Sequence, residues 1–131
     1  WARVVPGEQL DLDGVTLTFL APDSAWTAGL DDPNEASTIL RVQYGARSLL
    51  LTGDAEAGLE EWLLTHATDA LDVDVLKVAH HGSSTSSTPA FVDAVSPRLG
   101  LVSVGRDNGY GHPSPDVMRR LLDAGATVLR T

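Results

Sequence analysis

Apolar and polar residues alternate through "QLDLDGVTLTFL", Gln9 to Leu20, on both sides of Gly14. A period of two predicts a pair of strands that turn at the glycine. The "RVV" just before it reads as a further strand. Residues 21–36, rich in Asp, Pro and Gly, break the rhythm and read as a loop. "STILRVQYGARSLLLTGD" then predicts a hairpin with arms Ser37 to Tyr44 and Arg47 to Leu51, turning at Gly45-Ala46. In "AEAGLEEWLLTHAT", Ala55 to Thr68, the period lengthens. Leu59, Trp62 and Leu63 share one helical face and the acids gather near the start.

Beyond Thr68 the pattern shortens. "VDVLKVA" is a nearly continuous apolar strand, "PAFVDAV" a short helix opened by Pro89, and "LGLVSVG" another strand. "SPDVMRRLLDAG" has Pro115 in its first turn and Gly125 just past its end, the signature of a complete helix. "TVLRT" closes as a strand. Strands come first, then β-α-β-α-β-α-β, so the fold class is α/β, a mixed sheet with helices packed on it. Residues 1–131 read as a single domain with no internal repeat. The chain begins with Trp1 inside strand-like sequence, so it is expected to be the back portion of something larger.

The 43% apolar content is mostly aliphatic and supports a packed core. There is no cysteine, so a metal here must be held by imidazole and carboxylate, a set that suits zinc, manganese or iron. No stretch has the length and apolarity of a membrane span or signal peptide, so the fragment itself is expected to be soluble. The formal charge of −9 argues against tight binding of nucleic acid by charge alone. It leaves metal-dependent hydrolysis open, because a bound cation supplies local positive charge.

In α/β folds, chemistry sits on loops leaving the carboxyl ends of strands, and three such loops are unusual here. "LLLTGDAE" turns at Gly53 and projects Asp54 past the sheet; the structural alternative is that Asp54 caps the following helix. "LKVAHHGSS" places His80 and His81 after a strand, where alternation would send them to opposite faces. Gly82 permits the turn, and Ser83, Ser84 and Thr85 are placed to hold an anion or to support a ligand; a plain polar loop is the alternative. "VGRDNGYGHPSPD" gathers Arg106, Asp107, Asn108, Tyr110 and His112 among glycines and prolines. The alternative there is a surface turn with Ser114 capping the last helix. His66 reads as a solvated residue at a helix end. Asp54, His80 or His81, and His112 converge if their strands are neighbours, and a carboxylate with imidazoles is a set for zinc or manganese hydrolysis.

"LLLTGDAE", "LKVAHHGSSTSS" and "VSVGRDNGYGHPSPDVMRRLLDAGATVLRT" resemble, in order and spacing, the carboxy-terminal metallo-β-lactamase-like domain of ComEC, the DNA-uptake channel of natural competence. The likeness runs from about Asn34, which meets the family's Asn-containing loop, to the end. It implies an αββα sandwich with Asp54 as the carboxylate between two metals and a histidine ligand from "HHGS", His80 ahead of His81. His112 would be a substrate or transition-state contact. The parent would be a multi-pass protein of the cell membrane, with DNA as substrate and the channel as partner.

The superfamily's first metal motif, HxHxDH or HxDxDH, is absent, since none of His66, His80, His81 and His112 fits it. The chain is therefore expected to be the carboxy-terminal half of the sandwich, a weak metal half-site that is inactive alone and able to form a homodimer through faces left bare. The leading expectation is a metal-dependent phosphodiester hydrolase, a nuclease, with Asp54 and His112 in catalysis and Ser83, Ser84, Arg106, Asn108 and Tyr110 on the substrate. The competing readings are a stand-alone hydrolase of a small phosphoester and a non-catalytic module binding DNA or a partner.

Overall fold

The computed structural model describes residues 5–131. Within them seven strands form one sheet, in chain order. β1 (Gln9–Leu12), β2 (Val15–Ala21), β3 (Ile39–Tyr44) and β4 (Arg47–Leu51) run antiparallel, each to the next. β5 (Val75–Lys77), β6 (Leu99–Val102) and β7 (Thr127–Arg130) extend the sheet parallel to β4. The expected strand over "RVV" lies, save for Val5, outside the described residues, and Val5 is not in a strand.

Antiparallel strands are joined by tight turns, and parallel ones need crossovers. A short helix, α1 (Ser24–Thr27), lies in the β2–β3 connection. α2 (Ala57–His66), α3 (Pro89–Val95) and α4 (Pro115–Asp123) form the three crossovers. α2 packs on α3 and α3 on α4, so the three cover one face of the sheet.

Register shows what each face carries, because paired residues point the same way. The row Leu50–Leu76–Gly100–Val128 faces the helices. A Cβ on Gly100 would stand 3.7 Å from Leu121 of α4. Leu50, Leu59, Leu63, Leu76, Phe91, Val92, Val117 and Leu121 are fully buried there and form the core.

The opposite face has no helix on it among the described residues. Its rows are Leu10–Leu17–Val42–Leu49–Val75–Leu99–Thr127 and Phe19–Leu40–Leu51–Lys77–Leu101–Leu129. An apolar row this long on a bare face is the pattern of a sheet made to be covered on both sides. Leu10, Leu101 and Leu129 are exposed.

The elements follow the predicted order, with three differences. The expected loop 21–36 contains α1, capped by the Asp23 carboxylate, and a 3-10 turn over Pro33–Ala36 capped by Asp32. α2 starts at Ala57, with Glu56 in the cap position, so Asp54 does not cap it. Its free N–H groups are met from the loop instead: Gly58 N and Leu59 N donate to the Glu35 carboxylate, at 3.0 and 2.5 Å. β5 stops at Lys77, because the backbone turns sharply at the histidines that follow.

Candidate functional site

β4, β5 and β6 run parallel, so the segments leaving them emerge at one edge of the sheet. There the TGD turn, the HHGS turn and the 103–113 loop meet. Gly53 has φ +52, and a Cβ on it would stand 3.0 Å from Ser37 Oγ. The Ser37 hydroxyl accepts from Asp54 N at 3.0 Å, which fixes the turn and leaves the Asp54 carboxylate free to face the edge.

His80 and His81 both lie in the left-handed region, at φ 45 and 54. Each such non-glycine residue stores about 1–3 kcal/mol of strain, and it persists only where the surroundings fix it. Here they do. His80 N donates to Gly53 O at 3.1 Å, Ser83 N to His80 O at 2.8 Å, and Ser114 N to Gly82 O at 2.8 Å. The alternation expected of a strand therefore does not apply, and the two rings take different surroundings for a different reason.

His81 Nδ1 stands 2.6 Å from the Ser103 carbonyl oxygen, which only accepts, so Nδ1 carries the proton. Nε2 is then the free acceptor, and it lies 3.6 Å from Asp54 Oδ1. Fixing one ring nitrogen on a carbonyl while the other faces a carboxylate is how metal-binding histidines are oriented. Two ligand atoms on a tetrahedral zinc, with bonds of about 2.1 Å, stand about 3.4 Å apart. Asp54 and His81 thus fit one ion without moving far. No cluster of three or more such ligands forms among the described residues.

His80 turns the other way. Its Nδ1 is 2.9 Å from Glu56 Oε1 without making a hydrogen bond. Asn34 donates to the same Glu56 oxygen at 3.4 Å. The His112 ring stands edge-on to His80 at 5.8 Å, and Tyr110 stacks on His112, also at 5.8 Å and 15° between planes.

Asn108 holds this last loop rigid. Its Nδ2 donates to Gly105 O at 3.0 Å and His112 O at 2.8 Å, and its Oδ1 accepts from His112 N at 3.0 Å. Arg106 and Tyr110 are exposed on it. Ser114 occupies the cap position of α4 but its side chain does not bond the helix. Ser83 is buried with its hydroxyl 2.8 Å from that of Thr85, so it braces the turn, whereas Ser84 is exposed. His66 lies at the end of α2, stacked on Trp62 and far from the three loops.

Lys77, Glu56 and Ser103 also shape the site and were not expected to. Lys77 Nζ donates to Gly53 O at 2.8 Å and lies 4.0 Å from Asp54 Oδ1. Burial pushes its ammonium below the ordinary lysine range, and the Asp54 charge offsets part of that. A lone cation inside the apolar run "VDVLKVA" was a readable signal. Nothing local marks Ser103, whose part is played by its backbone carbonyl.

These features define the class: a portion of a metallo-β-lactamase-like domain, half of its αββα sandwich. Two solved structures share the fold. CmlA, a diiron β-hydroxylase from Streptomyces venezuelae, superposes with a TM-score of 0.62 at 16% identity, over 99% of this chain and 33% of that one. A protein of Parabacteroides distasonis assigned as a metal-dependent hydrolase gives 0.62 at 12% identity, over 95% of this chain and 55% of that one.

The chain's curated homologues are competence proteins that align with nearly its whole length. The chain is 39% identical over 130 residues to competence protein ComA of Neisseria gonorrhoeae, which is 99% of this chain and 18% of that protein. It is 32% identical over 129 residues to ComE operon protein 3 of Bacillus subtilis, covering 98% of this chain and 16% of that protein. The chain thus spans under a fifth of the curated relatives it matches. No family model matches it. No helix among the described residues is long and apolar enough to cross a membrane.

Proposed function

We propose that this chain supplies one wall of a metal-dependent phosphodiester hydrolase, a nuclease acting on DNA during competence uptake. The observation that carries this is the Asp54–His81 pair, 3.6 Å apart with Nδ1 of His81 committed to Ser103. Asp54 and His81 would hold a divalent ion, zinc or manganese, which would supply an activated water and polarise a phosphoryl oxygen. The remaining ligands come from elsewhere in the parent polypeptide. Lys77 holds the Gly53–Asp54 turn and adds positive charge beside it. His112 offers a ring N–H to a phosphate oxygen, Asn108 sets its position, and Arg106 meets the anion from the loop.

The same reading assigns the bare apolar face to the second layer of the sandwich and the membrane channel of the parent as its partner. Isolated from that layer, the chain is inactive and pairs with a second copy through the face. The charge of −9 favours one competing reading, hydrolysis of a small phosphoester. The test is metal content and DNA cleavage by the full-length protein. Asp54→Ala should remove both, and retention of both in that variant would refute the assignment. Cleavage of small phosphoesters with DNA untouched would transfer the site to the competing class. Bound metal with neither activity would make it a binding module.

A further inference from the structure

We propose that Tyr110 is the platform on which a nucleobase stacks beside the phosphate held at the Asp54–His81 edge. The inference rests on the phosphodiesterase reading and narrows it, to a nucleic-acid strand with an unpaired base.

Tyr110 is 85% exposed, more than any other large apolar side chain described. The loop that carries it is braced, since Asn108 ties Gly105 to His112 through three hydrogen bonds. The ring needs little ordering when a ligand arrives, which keeps the entropic loss small. The flanking positions leave it unobstructed, since a Cβ on Gly109 or Gly111 would meet nothing within 4 Å. One face stacks on His112 at 5.8 Å, and His112 stands 5.8 Å from His80. Tyr110, His112 and His80 are therefore successive neighbours, and the His80 ring stands 6.4 Å from that of His81.

Charge makes the same point from another side. A chain with 18 acidic and 9 basic residues cannot hold a polyanion mainly by phosphate contacts. Base–aromatic stacking supplies affinity that does not depend on net charge, and every base has a face to offer. Duplex DNA hides those faces, so the ring selects a single strand or a frayed end.

The test compares binding of an oligothymidylate with that of an abasic oligonucleotide of equal length to the full-length protein that carries this chain, by fluorescence anisotropy. The wild type should prefer the base-bearing strand by about fivefold to a hundredfold, the range of one stacked base. Tyr110→Ala should abolish the preference, and Tyr110→Phe should keep it. An unchanged melting temperature is expected in both variants, because the side chain is exposed. Equal binding of the two oligonucleotides by the wild type, or a preference that survives in Tyr110→Ala, would overturn the proposal. Hydrolysis of bis(p-nitrophenyl) phosphate, a diester with no base, is measured in parallel. Cleavage of it without base preference defeats the stacking alone; base preference without any cleavage defeats the hydrolase reading and leaves the stacking in place.

Discussion

Gly82 joins the histidine turn to the 103–113 loop, and replacing it with alanine tests whether the site depends on that seam. Gly82 has φ +79, and a Cβ there would stand 2.6 Å from Pro113 Cβ and 3.2 Å from Pro113 Cα. The left-handed backbone costs a non-glycine residue about 1–2 kcal/mol. The clash adds about 1–3 kcal/mol of overpacking, since a proline ring beside its own backbone cannot rotate away. Gly82→Ala should therefore destabilise by about 2–5 kcal/mol, a large share of the roughly 5–15 kcal/mol typical of a domain. Urea unfolding at equilibrium reads this directly. With slopes of about 1–3 kcal/mol/M, the midpoint should fall by about 0.7 M or more at unchanged slope. Gly105→Ala is the control: its Cβ would meet open space and its φ is not left-handed, so it should stay within about 0.5 kcal/mol. A loss below that for Gly82→Ala, or equal losses for the two, would refute the seam.

His81→Ala in the full-length protein should weaken metal binding by more than about 100-fold. His80→Ala and Glu56→Ala should stay within the roughly 10–100-fold that follows loss of a supporting partner. Titration with zinc under a competing chelator separates them, and equal losses at His80 and His81 would void the ligand assignment. Glu60 is fully buried in α2, and its carboxylate accepts from Ser87 N at 2.5 Å and Thr88 N at 2.7 Å. Glu60→Ala strands both donors at about 1–3 kcal/mol each, so thermal and urea unfolding should show a loss of about 2–6 kcal/mol. Asp74 is held below the ordinary aspartate value of 3.8, first by Ser48 N–H and further by Arg47 and Arg98. A lowered carboxylate stabilises above its unfolded pKa, and that contribution is lost as pH falls through the folded one. Asp74→Asn should therefore lower the melting temperature at pH 7 and match the wild type near pH 2; a constant difference across that range would contradict the linkage.

The order of the elements was legible because each carries its own period. Alternation at Gln9 to Leu20 and the Pro115 to Gly125 frame of α4 are local signals, and local signals survive into the fold. Convergence of the three loops was legible too, since parallel β4, β5 and β6 must release them at one edge. What the sequence hid was long-range or backbone in origin. Glu35 caps α2 across 23 residues, from a segment that reads as loop. The division of labour between His80 and His81 rests on two consecutive left-handed residues and on the Ser103 carbonyl, and no side-chain pattern encodes either. Ser83 was open by composition to holding an anion or supporting a ligand, and which side of the turn its hydroxyl faces, 2.8 Å from that of Thr85, is a backbone matter.

The bare face and the half-site are one problem. The row Leu51–Lys77–Leu101 belongs to the uncovered face, and Lys77 Nζ touches the Gly53–Asp54 turn. Asp54 follows Leu51 by three residues, and His80 follows Lys77 by three. On the proposed hydrolase reading, a layer laid on the face would end beside the Asp54–His81 pair and bring its further ligands there. Seating that layer and filling the metal site are thus linked, each favouring the other. The consequence is measurable. Zinc at about 100 times its dissociation constant should stabilise the full-length protein by about 2.7 kcal/mol, the mass-action value for one site. The isolated chain, which offers two ligands, should show no shift at the same concentration. Differential scanning calorimetry of both, with Asp54→Ala as the blank, decides it. Equal shifts in the two would mean that this chain holds its metal without the second layer, and that the face and the site are independent after all.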